Sequence, residues 1–169
     1  VDTVLVIMPD NAKHALEMIG AAKPDVVQIH NNIGVDELET MRNNTAIDIV
    51  KTISIPISTK ISADITGAIT RQVNDLTDCD LVDGILLDSS AYGKIGGTGA
   101  AHDWSVSRAV VEAVDVPVVL AGGLNPDNVR DAVEEVSPYA IDTASGIETD
   151  GMKDEKKICR FIKEARCVK

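Results

Sequence analysis

Residues 117–127 read PVVLAGGLNPD, and this stretch determines the fold that the chain is expected to adopt. The apolar run 117–121 is typical of a buried strand, and the glycine pair 122–123 predicts a tight loop directly after it. Residues 125–127 (Asn-Pro-Asp) predict a helix start, with an asparagine cap, a proline at the first position and an acid in the first turn. A strand, a short loop and a helix in this order form one βα unit.

The same alternation of short β-rich runs and helical patterns continues along the whole chain. The predicted strands are residues 4–8, 25–30, 46–54, 84–88, 117–121 and 139–143. The predicted helices are residues 10–22 with Asp10 as the cap, 35–41, 64–76, 103–114, a helix that begins at Asn125, and 154–165. For the third strand, 46–54 is preferred over 57–61, because Pro56 lies between them and proline is unfavourable inside a buried strand.

Six βα units therefore occupy 169 residues, or about 28 residues each. A (β/α)₈ barrel usually needs about 250 residues, with about 200 as the lower bound. We therefore expect the α/β class and a (β/α)₈ TIM barrel, with about six of its eight units in this chain. A six-stranded doubly wound sheet is the structural alternative. No linker or low-complexity segment predicts a second domain, so residues 1–169 are interpreted as a single domain.

Composition and charge exclude several classes of partner. The formal net charge is −11, with no block of Lys and Arg, which argues against a nucleic-acid or anionic-membrane surface. No run of about 18 apolar residues predicts a membrane span, and no signal-peptide pattern opens the sequence. Cys79, Cys159 and Cys167 lack CxxC spacing and are interpreted as reduced thiols, not metal ligands, so we expect a cytoplasmic protein.

Two glycine-containing loops follow consecutive strands and predict a phosphate site. Gly122 and Gly123 follow the fifth predicted strand, and Ser145 and Gly146 follow the sixth. Glycine lets backbone N–H groups approach a ligand, and barrels bind phosphate at the loops of their last two strands. Each loop alone is explained somewhat better as a tight turn, and it is the pair on consecutive strands that favours phosphate. Residues 96–99 (GGTG) form a third candidate loop, which a mobile segment would also explain.

Asp88 is the candidate acid, because it ends the buried run 85–87 at the edge where α/β proteins place their sites. Partial burial there would raise the pKa of its carboxyl group and suit it to donate a proton. A bond to a neighbouring loop backbone is the structural alternative. His30 and Asp142 belong to other predicted strands and could face the same place, although His30 could equally be a structural histidine. Asp103 is interpreted as a helix cap.

Several motifs, in order and spacing, resemble the phosphoribosylanthranilate isomerase family. They are LLDS (86–89), GGTG (96–99), HDW (102–104), LAGGLNPDNV (120–129), IDTASGIE (141–148) and then GMKD. VQIH (27–30) and IVK (49–51) are similar to the family's fourth and fifth strands. The resemblance is highly specific over residues 83–154, moderate over 25–53 and weak elsewhere.

The resemblance implies a (β/α)₈ barrel of tryptophan biosynthesis that performs an Amadori rearrangement without a cofactor or a metal. It makes Asp88 the general acid that protonates the ribose ring oxygen, and it makes His30 and Asp142 residues that line the site. The implied phosphate-binding backbone comprises Gly97, Gly99, Gly122, Gly123, Ser145 and Gly146. The implied partner is a small phosphorylated substrate, with no nucleic acid or membrane, and the oligomeric state is left open.

The chain also departs from the family pattern. The family's general base, a cysteine in a KICG motif on its first strand, and an arginine after its second strand have no counterpart here. Aligned in this way, the chain lacks the family's first two βα units, so we expect a domain that is N-terminally incomplete and inactive by itself. Ala144 and His102 replace the family's usual Ser and Phe, changes that we expect to be tolerated. The alternatives are a non-catalytic sugar-phosphate-binding barrel and another barrel enzyme, such as an indole-glycerol-phosphate synthase using Lys51.

Overall fold

A computed structural model describes residues 1–57, 63–90 and 101–167. In these residues six parallel strands form one sheet in sequential order. Two further strands of two residues each form a separate antiparallel hairpin. The strands of the sheet are β1 (Val4–Ile7), β2 (Val26–Ile29), β3 (Asp48–Pro56), β4 (Gly84–Ser90), β5 (Val118–Leu120) and β6 (Ala140–Ile141), and the hairpin consists of β7 (Glu148–Thr149) and β8 (Met152–Lys153). All six predicted strands of the sheet are confirmed, and the hairpin was not predicted.

In the described part of the chain six α-helices alternate with the strands, as the βα pattern requires, and a short 3₁₀ helix (Ser145–Ile147) follows β6. The α-helices are α1 (Ala12–Ala22), α2 (Val35–Asn44), α3 (Ala63–Thr77), α4 (Trp104–Ala113), α5 (Val129–Val136) and α6 (Glu155–Arg166). Asp103 caps α4, as predicted, by accepting a hydrogen bond from the Ser105 N–H at 3.1 Å. Within the described residues, no helix is long and apolar enough to cross a membrane.

The sheet has one face toward the helices and one concave face. The helix-side face carries the aliphatic core, in which Ile29 of β2, Ile49 of β3 and Ile85 of β4 are fully buried on the same side of the sheet. A smaller cluster packs β5 against α5 and α6 around Leu120 and Phe161. His30 follows β2 and Asp142 follows β6, and three strands lie between these two, yet both residues line one cavity, so the sheet is curled like part of a barrel wall.

Three local predictions were wrong in detail. Asn125 does not cap the α-helix: its side chain accepts from the Asp127 N–H at 2.8 Å and closes a turn, and α5 starts at Val129. Pro56 is inside β3 rather than beyond it, because it takes the last position of the strand, where the ladder ends. Asn11, not Asp10, caps α1 by accepting from the His14 N–H at 2.9 Å.

Candidate active site

A cavity of about 210 Å³ opens at the carboxyl end of the sheet, where residues that follow β2, β5 and β6 meet Asp88 of β4. This is the edge at which parallel β/α proteins place their sites. The described residues that line it are His30, Asp88, Ala121, Gly122, Gly123, Leu124, Asp142, Thr143, Ala144, Ser145 and Gly146. The cavity therefore combines two carboxylates, one imidazole and two glycine-containing loops.

Asp88 lies in β4 and points into the cavity with 13% of its side chain exposed. Burial raises the pKa of its carboxyl group, and the nearby charge of Asp142 acts in the same direction. His30 and the Ser89 N–H act against this rise. The net direction is upward, which keeps Asp88 protonated to a higher pH than an ordinary aspartate and suits the group to donate a proton.

His30 follows β2 and faces Asp88 across the cavity, with 3.9 Å between its Nε2 and Oδ2 of Asp88. Its other nitrogen, Nδ1, lies 3.4 Å from Gln28 Nε2 and 3.3 Å from Thr52 Oγ1. Both neighbours carry a hydrogen that they can donate, so they favour the tautomer in which Nδ1 accepts and Nε2–H points toward Asp88. Gln28 and Thr52 lie on the concave face of β2 and β3 and were not singled out from the sequence.

The loop after β5 needs its glycines for two separate reasons. Gly122 and Gly123 both have positive φ angles, 83° and 67°, which are unfavourable for residues with a Cβ. A Cβ at Gly122 would also collide with the backbone nitrogen and side chain of Ser89. This loop therefore packs directly against the residue that follows Asp88, and the acid and the loop are fixed relative to each other.

The loop after β6 is equally close to its neighbour. A Cβ at Gly146 would overlap the Leu124 carbonyl oxygen, which also accepts a hydrogen bond from Thr143 Oγ1 at 2.7 Å. Asp142 lies just beyond β6, not within it as predicted, and its N–H donates to the Leu120 carbonyl at 2.9 Å. The two loops thus interlock at the base of the cavity.

Two side-chain amides near the start of α5 hold the Gly123 carbonyl group of the loop after β5. The Gly123 oxygen accepts from Asn128 Nδ2 at 3.0 Å and from Asn125 Nδ2 at 3.3 Å. Because the peptide group is planar and trans, the Leu124 N–H points away from these amides. Backbone N–H groups of glycine-containing loops next to a helix start are a common kind of anion donor in proteins.

A buried histidine, whose contacts were not predicted, supports the same region. His102 is 5% exposed and lies between two serine hydroxyls, with Nδ1 2.8 Å from Ser89 Oγ and Nε2 2.5 Å from Ser107 Oγ. Its backbone N–H also donates to Ser89 Oγ at 3.1 Å. Burial lowers the pKa of His102 to about 4, so the imidazole is neutral at physiological pH. His102 therefore links Ser89, and through it Gly122, to α4.

This lowered pKa predicts an acid-sensitive contribution to stability. The unfolded chain binds a proton at His102 near the ordinary pKa of 6.5, whereas the folded protein binds it only near 4. Stability is therefore lost as the pH falls through this window, and the His102 contribution between pH 7 and pH 5 is about 2 kcal/mol. Urea unfolding at pH 7 and at pH 5 measures this loss. Between these two pH values, we expect the free energy of unfolding to fall by about 2 kcal/mol more in the wild type than in His102→Phe. Equal losses in the two proteins would contradict this role.

Seven of the predicted site residues lie together in the cavity: His30, Asp88, Gly122, Gly123, Asp142, Ser145 and Gly146. The predicted phosphate residues Gly97 and Gly99 lie outside the described residues. The three cysteines are exposed and do not line the cavity. Among the described residues, no group of His, Cys, Asp and Glu has the arrangement of a metal site.

Lys51, the residue that an indole-glycerol-phosphate synthase would require, is not part of the cavity. Its side chain is 3% exposed, and its ammonium group donates to the carbonyl oxygens of Asn31 at 3.0 Å and Thr52 at 2.6 Å. Burial lowers the pKa of Lys51 to about 8. Its paired neighbours Ile29 and Ile85 belong to the core on the helix side of the sheet, so Lys51 packs on the face opposite to Asp88.

The fold and the cavity define a parallel β/α protein with a partly buried carboxyl group and two glycine-containing loops at the carboxyl edge of its sheet. The model of the family "N-(5'phosphoribosyl)anthranilate (PRA) isomerase" matches residues 1–164. The chain therefore belongs to the N-(5'-phosphoribosyl)anthranilate isomerase family.

Individual relatives agree with this assignment. The N-(5'-phosphoribosyl)anthranilate isomerase of Methanosarcina acetivorans is 46% identical over 169 residues, which cover 99% of this chain and 71% of that protein. The crystal structure of phosphoribosyl anthranilate isomerase from Thermotoga maritima superposes with a TM-score of 0.77 at 25% identity, covering 99% of this chain and 74% of that one. A structure of the enzyme in complex with reduced 1-(o-carboxyphenylamino)-1-deoxyribulose 5-phosphate gives a TM-score of 0.73 at 25% identity, over 99% and 73%.

Proposed function

We propose that this protein isomerises N-(5'-phosphoribosyl)anthranilate to 1-(2-carboxyphenylamino)-1-deoxyribulose 5-phosphate in tryptophan biosynthesis, and that Asp88 is its general acid. The main support is the shared cavity, in which a partly buried carboxyl group faces two interlocked glycine loops. The family relatives carry the name of this activity. A substrate with a phosphate at one end and a ring oxygen that must be protonated matches these two features.

In the proposed mechanism, Asp88 gives its proton to the ribose ring oxygen as the C1–O bond breaks. The nitrogen lone pair takes over the bonding at C1 and forms an iminium ion in the open chain. A base then removes the proton from C2, and the resulting enol rearranges to the ketone. His30, with Nε2–H directed at Asp88, holds the acid in place and stabilises the carboxylate that remains after proton transfer.

The phosphate group would lie between the loops that contain Gly122 and Gly123, and Ser145 and Gly146. Backbone N–H groups can approach a phosphate closely at these positions, because the glycines carry no Cβ. From the family resemblance we include Gly97 and Gly99 in this set, and Asp142 as a residue that contacts the sugar. We propose no cofactor and no metal ion for this reaction, since proton transfers account for every step.

We further propose that the sheet is part of an eight-stranded barrel and that residues 1–169 belong to one domain. Val4, Val6 and Met8 on or beside β1 are each more than half exposed, as expected of a strand whose concave face and outer edge would be covered in a barrel. The family resemblance makes a cysteine the general base, and the described lining of the cavity contains no thiol. We therefore expect residues 1–169 alone to bind the substrate without turning it over, with the base contributed from outside them. The cytoplasm is the location that we propose for this biosynthetic step.

Complementation tests the proposed function directly. We expect the natural gene to restore growth without tryptophan to a strain that lacks phosphoribosylanthranilate isomerase, and the same gene carrying Asp88→Asn to fail. Immunoblotting of the soluble fraction controls for expression of both proteins. A well-expressed wild-type protein that does not restore growth would contradict the proposal and favour a non-catalytic sugar-phosphate-binding protein.

A further inference from the structure

The hairpin of β7 and β8 carries a lysine that reaches back to the proposed phosphate loop. Lys153 Nζ donates to the carbonyl oxygen of Ala144 at 2.8 Å and to Glu148 Oε1 at 2.8 Å. Glu148 is also the register partner of Lys153 across the hairpin. The turn between the strands places Asp150 and Gly151 at positive φ, 53° and 76°, so the hairpin is tight and presents Lys153 in a defined position.

Because the peptide group is planar, the contact between Lys153 and the Ala144 carbonyl also determines the direction of the Ser145 N–H. In a planar trans peptide the C=O and the following N–H point in opposite directions. Because the Ala144 carbonyl points at Lys153, the Ser145 N–H points away from it. Ala144, Ser145 and Gly146 line the cavity, whereas Lys153 does not, so the N–H is directed from the lysine side toward the cavity side.

Charge makes the orientation of this N–H important. The described lining of the cavity contains two carboxylates, Asp88 and Asp142, and no lysine or arginine. A phosphate dianion there depends on correctly aimed N–H dipoles for its stabilisation. Residue 144 is an alanine, whose side chain has no polar group to hold the loop. The carbonyl contact from Lys153 is therefore the side-chain hydrogen bond that fixes this peptide in the described structure.

We propose that Lys153 is a positioning residue for substrate binding, which aims the Ser145 N–H at the phosphate by holding the Ala144 carbonyl. The inference rests on the proposed function, since it assigns the phosphate to this loop. Lys153 does not contact the substrate itself. Its side chain is 53% exposed, so the longer arginine has room to make the same bond.

The test compares three variants of the natural protein by steady-state kinetics and by titration with inorganic phosphate. Lys153→Met removes the donor, and we expect it to raise KM and the Kd for phosphate about tenfold while kcat changes less than about twofold, as for loss of uniform binding. Lys153→Arg should restore both constants to within about twofold. Lys157→Met is the matched control, because Lys157 Nζ donates at 2.5 Å to the Glu148 carbonyl of the same hairpin and not to the phosphate loop.

Amide chemical shifts give a readout that does not depend on any ligand. We expect the Ser145 amide signal to move further from its wild-type position in Lys153→Met than in Lys157→Met, because only Lys153 bonds the carbonyl of that peptide. An unchanged KM and phosphate Kd in Lys153→Met, with normal binding by the wild type, would overturn this inference and leave the proposed function intact. An equal rise in Lys157→Met would also overturn it, since the effect would then come from general loosening of the hairpin. A wild-type protein that binds neither phosphate nor substrate would overturn the proposed function and this inference with it.

Discussion

Replacing Asp88 with asparagine is expected to lower kcat for isomerisation by at least about 100-fold, which is the low end of the contribution of a general acid. Asparagine keeps the size and position of the side chain but has no acidic proton to give to the ring oxygen. Because burial raises the pKa of Asp88, the acid form persists to a higher pH than for an ordinary aspartate, and kcat/KM in the wild type should fall as the pH rises through that pKa. This dependence should be absent from the residual activity of the variant.

Asp103→Asn is the matched control for this carboxylate-to-amide change. Asp103 caps α4 through its side-chain oxygen, and asparagine is an equally good cap, so kcat should stay within about twofold of the wild type. Titration with reduced 1-(o-carboxyphenylamino)-1-deoxyribulose 5-phosphate shows whether Asp88→Asn still binds a ligand in the cavity. Near-normal kcat in a folded Asp88→Asn protein would remove Asp88 from the role of general acid.

Replacing Gly146 with alanine is expected to lower kcat/KM by about 100-fold, mainly through a higher KM. The new Cβ would overlap the Leu124 carbonyl, so the two loops that enclose the proposed phosphate site could no longer interlock. Losing two hydrogen bonds to a charged group costs about 3 kcal/mol, or about 100-fold in binding. Steady-state kinetics and phosphate titration measure this loss, and thermal unfolding shows how much the fold itself is weakened.

Gly20→Ala provides the control for adding a methyl group. A Cβ at Gly20 would have no heavy atom within 4 Å, and alanine is favoured over glycine inside a helix such as α1. We expect this variant to keep the kinetic constants of the wild type and to be no less stable. Normal KM and phosphate binding in a folded Gly146→Ala protein would place the phosphate elsewhere.

The sequence was informative wherever local chemistry and global fold agree. The six strands were predictable because short apolar runs alternate with capped helices, and a parallel sheet places their carboxyl ends at one edge. Asp88 at the end of such a run, and the glycines in the loop after β5, were visible for the same reason. The family resemblance added expected roles for His30 and Asp142, and for His30 the residues alone left a structural alternative open.

The supporting contacts were not predictable, because they join residues through side-chain directions that spacing does not define. His102 was noticed only as a departure from the family pattern, yet it bridges Ser89 and Ser107 in the core. Lys153 acts on Ala144, nine residues away, through a hairpin too short to leave a strand pattern. The start of α5 was misplaced because a turn closed by Asn125 satisfies the same residue preferences as a helix cap.

The most direct measurement is the turnover of N-(5'-phosphoribosyl)anthranilate by the natural protein, with substrate and product separated by chromatography. We predict that the wild type converts the substrate to the carboxyphenylamino-deoxyribulose phosphate and that Asp88→Asn, at the same concentration, converts at most about one hundredth as much. Binding of the substrate by the wild type without any conversion would contradict the central claim, because the cavity around Asp88 would then hold a sugar phosphate without acting on it.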